Sequence, residues 1–100
     1  MQYTVRLTRQ AEKDIVRLRA DKARAVTALS RLKADPYAGH TLTGSLKGVR
    51  SLEFSAPGGA YRAAYVVKDQ ECVVFLVGPH EGFYEKAERR YRALQRLGSL

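Results

Sequence analysis

The sequence holds a single cysteine, Cys72, and no tryptophan. One thiol cannot close an intramolecular disulfide, so a disulfide-stapled fold and a cysteine-based zinc cluster are both excluded. No apolar run approaches the ~20 residues needed to span a bilayer, which argues against a membrane partner. Met1-Gln2-Tyr3 leads straight into an alternating pattern, not into the charged and apolar blocks of a signal peptide, so the expected compartment is a reducing cytoplasm. Also missing are a phosphate-binding glycine loop, a nucleophile elbow and any cluster of His, Cys, Asp or Glu at metal-ligand spacing. The expectation is therefore a chain with no metal and no small-molecule cofactor. Carboxylates are scarce: 10 Asp plus Glu stand against 18 Lys plus Arg, for a net charge of +8 and a pI near 10.0. A small domain this basic points to a polyanion or an acidic protein as partner.

What is present is enough for one core. The 100 residues are 45% hydrophobic, which predicts a single domain over residues 1–100 that packs without staples. Tyr3, Val5 and Leu7 alternate with Gln2, Thr4 and Arg6, the period of a half-buried strand. Thr8 is placed to cap a helix, whose stripe of Ala11, Ile15 and Leu18 runs to about Ala20. A second helix begins at Asp21, buries Ala25, Ala28, Leu29 and Leu32, and stops at Asp35-Pro36 because the residue before proline is pushed out of the helical region. The short link makes the two an antiparallel hairpin.

Residues Tyr37 to Gly48 read as a polar loop, with His40 on its surface and Leu42 and Leu46 as anchors. Three strand-like runs follow: Val49 to Ser55, Ala60 to Val67, and Cys72 to Gly78. Pro57-Gly58-Gly59 and Asp69-Gln70 supply the turns, and Lys68 and Glu71 fall opposite each other. The run CVVFLVG is apolar on both parities, as in a strand covered on both faces. Helical period returns from Phe83 to Leu97, with Phe83, Ala87, Tyr91 and Leu94 on one stripe. The i, i+4 pairs Glu85/Arg89 and Glu88/Arg92 lie on its wet side. The expected architecture is α+β: a four-stranded, mainly antiparallel sheet, the helical hairpin on one face, and a C-terminal helix after Tyr84.

Few residues in this frame can carry chemistry. Arg62 sits mid-strand among small and apolar neighbours. It is either half of an ion pair with Glu53 on the adjacent strand or a planar fork aimed at a phosphate. His80 follows Pro79 at the end of an apolar strand, where an imidazole can act as acid or base near neutrality. Tyr84, four residues on, is either a core aromatic or a stacking and proton-donating group. Lys47 and Arg50 approach the same sheet as candidate contacts for an anionic ligand.

These pieces, in this order, resemble the RelE/ParE superfamily of toxins from type II toxin–antitoxin systems. The resemblance rests on YTVRLTRQAEKDIVRL, LKADP, LKG, YRAAYVV and VGPHEGFY, and spans nearly the whole chain. It implies a ribosome-dependent endoribonuclease that cleaves messenger RNA without a metal, the 2′-hydroxyl attacking the adjacent phosphate. It further implies that Arg62 stabilises the scissile phosphate, that Tyr84 orients or activates the attacking nucleotide, and that His80 donates a proton to the leaving oxygen. Lys47 and Arg50 match the family's basic, RNA-binding patch. The second strand, SLEFS, departs from members with lysines there and resembles those that use a glutamate as base, which is Glu53. The implied partners are a cognate acidic antitoxin, the ribosome and its message. Two alternatives share the fold: a ParE-like inhibitor of DNA gyrase, and a non-catalytic chain that only binds its antitoxin.

Overall fold

A computed structural model describes residues 2–100. The chain opens with strand β1 (Thr4–Leu7), and the Thr8 hydroxyl accepts a hydrogen bond from the Ala11 amide at 3.2 Å to start helix α1 (Arg9–Arg17). That helix ends short of the expected Ala20, because Arg19 adopts a left-handed φ of 52° and the chain turns. Helix α2 (Lys22–Ser30) follows and tightens into a last turn over Arg31–Lys33 before Pro36. Then come β2 (His40–Thr41), β3 (Arg50–Ala56), β4 (Gly59–Lys68), β5 (Glu71–Pro79) and helix α3 (Phe83–Arg96).

The sheet has five strands in the order β1-β5-β4-β3-β2. The first strand does insert beside the later ones: it lies parallel to β5, with Val5 opposite Cys72, and the remaining pairs are antiparallel. Two expectations need correcting. A fifth strand, β2, appears inside the segment read as loop, where His40 pairs with Ser51 and Thr41 with Arg50. Two residues are too few to show a period, and the loop folds this way because Tyr65 and Arg50 tie it down. The buried Tyr65 phenol donates to the Pro36 carbonyl at 2.8 Å and accepts from the Gly39 amide at 2.9 Å. Gly39 packs so closely that a Cβ there would lie 2.7 Å from the Ser51 carbonyl oxygen. The second correction is that α3 starts before Tyr84, not after it, and packs on the sheet face opposite the helical hairpin. Both faces are therefore covered.

Strand parity sorts the core accordingly. Leu52, Ala63, Tyr65, Cys72, Val74 and Val77 pack against Ala11, Ile15, Ala25, Leu29 and Leu32 of the hairpin. Ala64, Val66, Val73, Phe75 and Leu76 pack against Phe83 and Ala87 of α3, with Leu46 and Val49 closing the end. The expected helical stripes all face inward. Burial pushes the Cys72 thiol up from its ordinary pKa, as expected of a packing residue rather than a reactive one. The Asp69-Gln70 turn has positive φ at both residues, 51° and 62°, the conformation that a two-residue hairpin needs. Glu71 does lie opposite Lys68, but its carboxylate bonds Arg6 on β1 at 3.2 Å.

Strand β1 covers β5 only from Glu71 to Val74. Beyond that point the edge of β5 is finished by side chains. The Asp14 carboxylate of α1 accepts from the Val77 amide at 3.0 Å and from both terminal nitrogens of Arg90 of α3, at 2.6 and 3.1 Å. Arg90 also donates to the Phe75 carbonyl at 3.0 Å. In the link between α1 and α2, Asp21 is buried and accepts from the Gly58 amide at 3.1 Å and the Tyr61 hydroxyl at 2.7 Å, clasping the β3–β4 turn. The Asp21 bond comes first among the causes that hold the Tyr61 phenol above its ordinary pKa.

The Asp14 and Arg90 side chains are only 6% and 14% exposed. Replacing Asp14 by Ala strands the guanidinium and the Val77 amide together. The expected loss is about 3–5 kcal/mol of unfolding free energy, measured by urea denaturation. A loss below about 1 kcal/mol would show that solvent reaches this edge and satisfies both groups.

Candidate active site

The candidate groups converge where β3, β4 and the start of α3 meet. Glu53 and Arg62 are direct cross-strand partners on the face that carries α3, and their side chains form an ion pair at 3.0 Å. A β-bulge sets what lies on the other side of Arg62. Tyr65 pairs with Val74 but Ala64 pairs with Leu76, so Phe75 is an extra residue in β5. The insertion moves Gly78, not Val77, opposite Arg62. The arginine therefore has a carboxylate on one flank and no side chain on the other.

The link from β5 to α3 turns at Gly82, whose φ of 65° suits glycine. Tyr84 thus sits in the first turn of α3 and reaches back over the sheet. An Nη atom of Arg62 donates to the Tyr84 hydroxyl, and the guanidinium carbon lies 5.4 Å from the centre of the phenol ring. The His80 ring meets the Tyr84 ring edge-on, with centroids 6.4 Å apart. Arg62 is 19% exposed, Glu53 54% and Tyr84 38%, so the cluster is anchored at its base and open at its rim.

Two hollows flank it. One, of about 430 Å³, is lined by Glu53, Phe54, Ser55, Tyr61, Arg62 and His80. The other, of about 710 Å³, runs from Tyr84 between α3 and residues 41–46. The structure therefore brings together four of the six candidates: Arg62, Glu53, Tyr84 and His80. Lys47 stands exposed at the end of the Gly44–Leu46 turn, its side chain without a hydrogen bond or ion pair among the described residues. Arg50 is on the opposite side of the sheet, paired with Tyr65. Its guanidinium bonds the Gly39 and Tyr37 carbonyls and lies over the Tyr37 ring. That arginine holds a loop.

Chemically, the cluster offers a fixed guanidinium, a carboxylate acceptor, a phenol and an imidazole around one open surface. The Tyr84 oxygen accepts from Arg62, which leaves its own proton free to donate outward. The positive end of α3 adds to the field that an anion would meet there.

A sequence model of the ParE-like toxins of type II bacterial toxin–antitoxin systems matches residues 5–88, a span that includes every candidate residue. The chain belongs to this family. Among solved structures, the RelBE2 toxin–antitoxin complex of Mycobacterium tuberculosis contains a chain 28% identical to this one, with a TM-score of 0.66 over 78% of this toxin and 98% of that chain. The free E. coli toxin RelE, solved as a double arginine-to-alanine mutant, is 23% identical with a TM-score of 0.68, over 92% and 98%. The E. coli protein YafQ is 22% identical with a TM-score of 0.57, over 83% and 99%. The last two likenesses show that the toxin has a RelE-like fold. Comparison with curated proteins finds no match.

Several working residues were not among the sequence candidates. Asp14 and Arg90 hold the β5 edge behind the site, and Asp21 holds its β3–β4 wall. The sequence did carry a sign of the first pair. Asp14 lies on the apolar stripe of Ala11, Ile15 and Leu18, and Arg90 lies beside Ala87 and Leu94, so each is a charge on a face that should be buried.

Because Glu53 is half-exposed, its bond to Arg62 is a solvent-screened one worth at most about 1 kcal/mol. Arg62→Ala and Arg62→Lys are both expected to unfold within about 1 kcal/mol of the parent in urea. A loss of several kcal/mol in Arg62→Ala, repaired by lysine, would make Arg62 a structural residue.

Proposed function

We propose that this toxin is a ribosome-dependent endoribonuclease that cleaves messenger RNA at the Arg62 cluster. The observation that carries the reading is the position of Arg62, held between the Tyr84 hydroxyl and the Glu53 carboxylate at an open surface that His80 also lines.

In this scheme the scissile phosphate takes the Arg62 guanidinium over from Glu53, so that two parallel hydrogen bonds reach its non-bridging oxygens. Glu53, released, accepts the proton of the ribose 2′-hydroxyl. The 2′-oxygen attacks phosphorus, and the bond to the 5′-oxygen of the next nucleotide breaks as His80 donates a proton to it. The products are a 2′,3′-cyclic phosphate and a 5′-hydroxyl. Tyr84 positions the phosphate by its outward proton and offers its ring to a base. Arg62 supplies the largest share, because charge builds on the phosphorane and the guanidinium is already oriented. Every proton and charge role in this scheme is filled by side chains of this chain, so the scheme needs no catalytic metal ion.

The need for a ribosome follows from the openness of the surface. Neither hollow encloses a strand, so an extended message has to be presented with its 2′-hydroxyl in line. A decoding site that fixes the message supplies that alignment, which is worth several kcal/mol of entropy. The cognate antitoxin is read as an acidic chain with a segment that orders across the cationic surface. A chain of the E. coli RelBE toxin–antitoxin complex shares the fold and supports a protein partner of this kind.

Induction without the antitoxin should stop protein synthesis first, with cuts confined to translated regions. Arg62→Ala should lower the cleavage rate about 10²–10³-fold, and Arg62→Lys should remain impaired because a point charge cannot form the paired bonds. Intact messages with DNA-damage signalling would overturn the reading in favour of gyrase inhibition. Intact messages with neither response would leave a chain that only binds its antitoxin.

A further inference from the structure

Because β1 is only four residues long, the edge of β5 away from β4 runs on without a strand beside it and leaves a slot of about 570 Å³ between the end of α1 and the start of α3. Gly58, Gly59 and Gly78 lie along it, and Arg17, His80 and Lys86 stand around it. The slot shares Ala60, Tyr61 and His80 with the hollow beside Arg62, so the two adjoin. Arg17 also lines a depression along α1 together with Arg9 and Lys13. Positions four apart on a helix share one face at roughly 6 Å spacing, so these cations form a row leading away from His80.

Gly78 is the telling residue. Its φ lies outside the left-handed region, and nothing stands within 4 Å of where a Cβ would project. Neither backbone conformation nor packing requires glycine there. A glycine inside a strand often marks a bulge, and this strand has one at Phe75, or a place where a ligand or another backbone approaches closely. Gly78 lies opposite Arg62 and lines the slot.

Of the carboxylates lining the slot, Asp14 is matched by Arg90 and Glu81 offsets one of the two charges of Arg17 and Lys86, which leaves a positive excess. Arg17 and Lys86 have no ion pair among the described residues.

We propose that this slot is a second binding site, taking the sugar–phosphate backbone of single-stranded RNA on the His80 side of the scissile phosphate, with Arg17 and Lys86 each on a backbone phosphate. The choice of RNA as ligand rests on the cleavage reading above. The wall shared with the Arg62 hollow favours a strand already seated there over an acidic protein segment.

The test is fluorescence anisotropy with fully 2′-O-methylated single strands, which the toxin cannot cut, using a trinucleotide and a strand of about ten nucleotides. Arg17→Gln/Lys86→Gln is compared with Lys33→Gln/Lys68→Gln, which removes the same charge at the far end of the sheet. The first pair should weaken the longer strand at least about tenfold and flatten its log–log salt dependence by about 1.4, at ~0.7 per phosphate. It should leave the trinucleotide unchanged, and the second pair should leave both unchanged. Equal losses in the two pairs, no loss in either, no binding of the longer strand, or a loss seen only with an acidic antitoxin peptide would each overturn the site. Messages cut normally on ribosomes with no difference between the pairs would sink the slot alone. Intact messages with the difference preserved would sink cleavage while the slot stands.

Discussion

A single ion pair ties the three layers of this toxin together. Asp14 comes from the helical hairpin on one face, Arg90 from the helix on the other, and they meet at the edge of the strand between them. There they satisfy the Val77 amide and the Phe75 carbonyl, backbone groups that the four residues of β1 do not reach. An unpaired strand edge is costly when buried and invites foreign strands when exposed. Closing it with charge instead of a longer β1 leaves the outer edge of the end of β5, the one away from β4, without a strand beside it. The same bonds fix α3 against the sheet, and α3 carries Tyr84. Site geometry therefore depends on an interaction that takes no part in the proposed chemistry.

The site is also poised by the sheet's irregularity. Without the extra residue at Phe75, Val77 would stand opposite Arg62 in place of Gly78. With it, Arg62 has Glu53 on one side and the bare backbone of Gly78 on the other. The Glu53 bond keeps a lone cation from roaming and orients the fork before any substrate arrives. Being half-exposed, that bond is weak enough for a phosphate to displace. Behind the wall of the same hollow, Asp21 holds Gly58 and Tyr61. A Cβ on Gly58 would lie 2.2 Å from its carboxylate oxygen, so even alanine would push the turn away.

Much of this was legible in the sequence because it rests on period. The stripes of Ala11, Ile15 and Leu18 and of Phe83, Ala87, Tyr91 and Leu94, and the alternation of Leu52 with Glu53, fixed which faces turn inward. The ion pair of Glu53 with Arg62 across neighbouring strands was one of the two readings open for that arginine, and the register makes them partners. What period cannot show is pairing between distant segments. The bulge at Phe75, the parallel neighbour of β5 and the two-residue β2 arise from tertiary contacts. Arg50 illustrates the limit: one residue of parity separates the open site from the loop side, and its even position with Leu52 and Phe54 already placed it with the hairpin. Asp14 was legible as a charge on an apolar stripe, but its partner, 76 residues away, was not.

The central claim is that Arg62, Glu53, Tyr84 and His80 form a cutting site for messenger RNA, and the ends of the fragments test it most directly. Purified toxin is added to translating ribosomes, and the newly made ends are mapped by their chemistry. The account predicts 5′-hydroxyl ends paired with 2′,3′-cyclic phosphates inside translated messages, and none with Arg62→Ala. Fragments bearing 5′-phosphates, or the same fragments from the Arg62→Ala toxin, would contradict it.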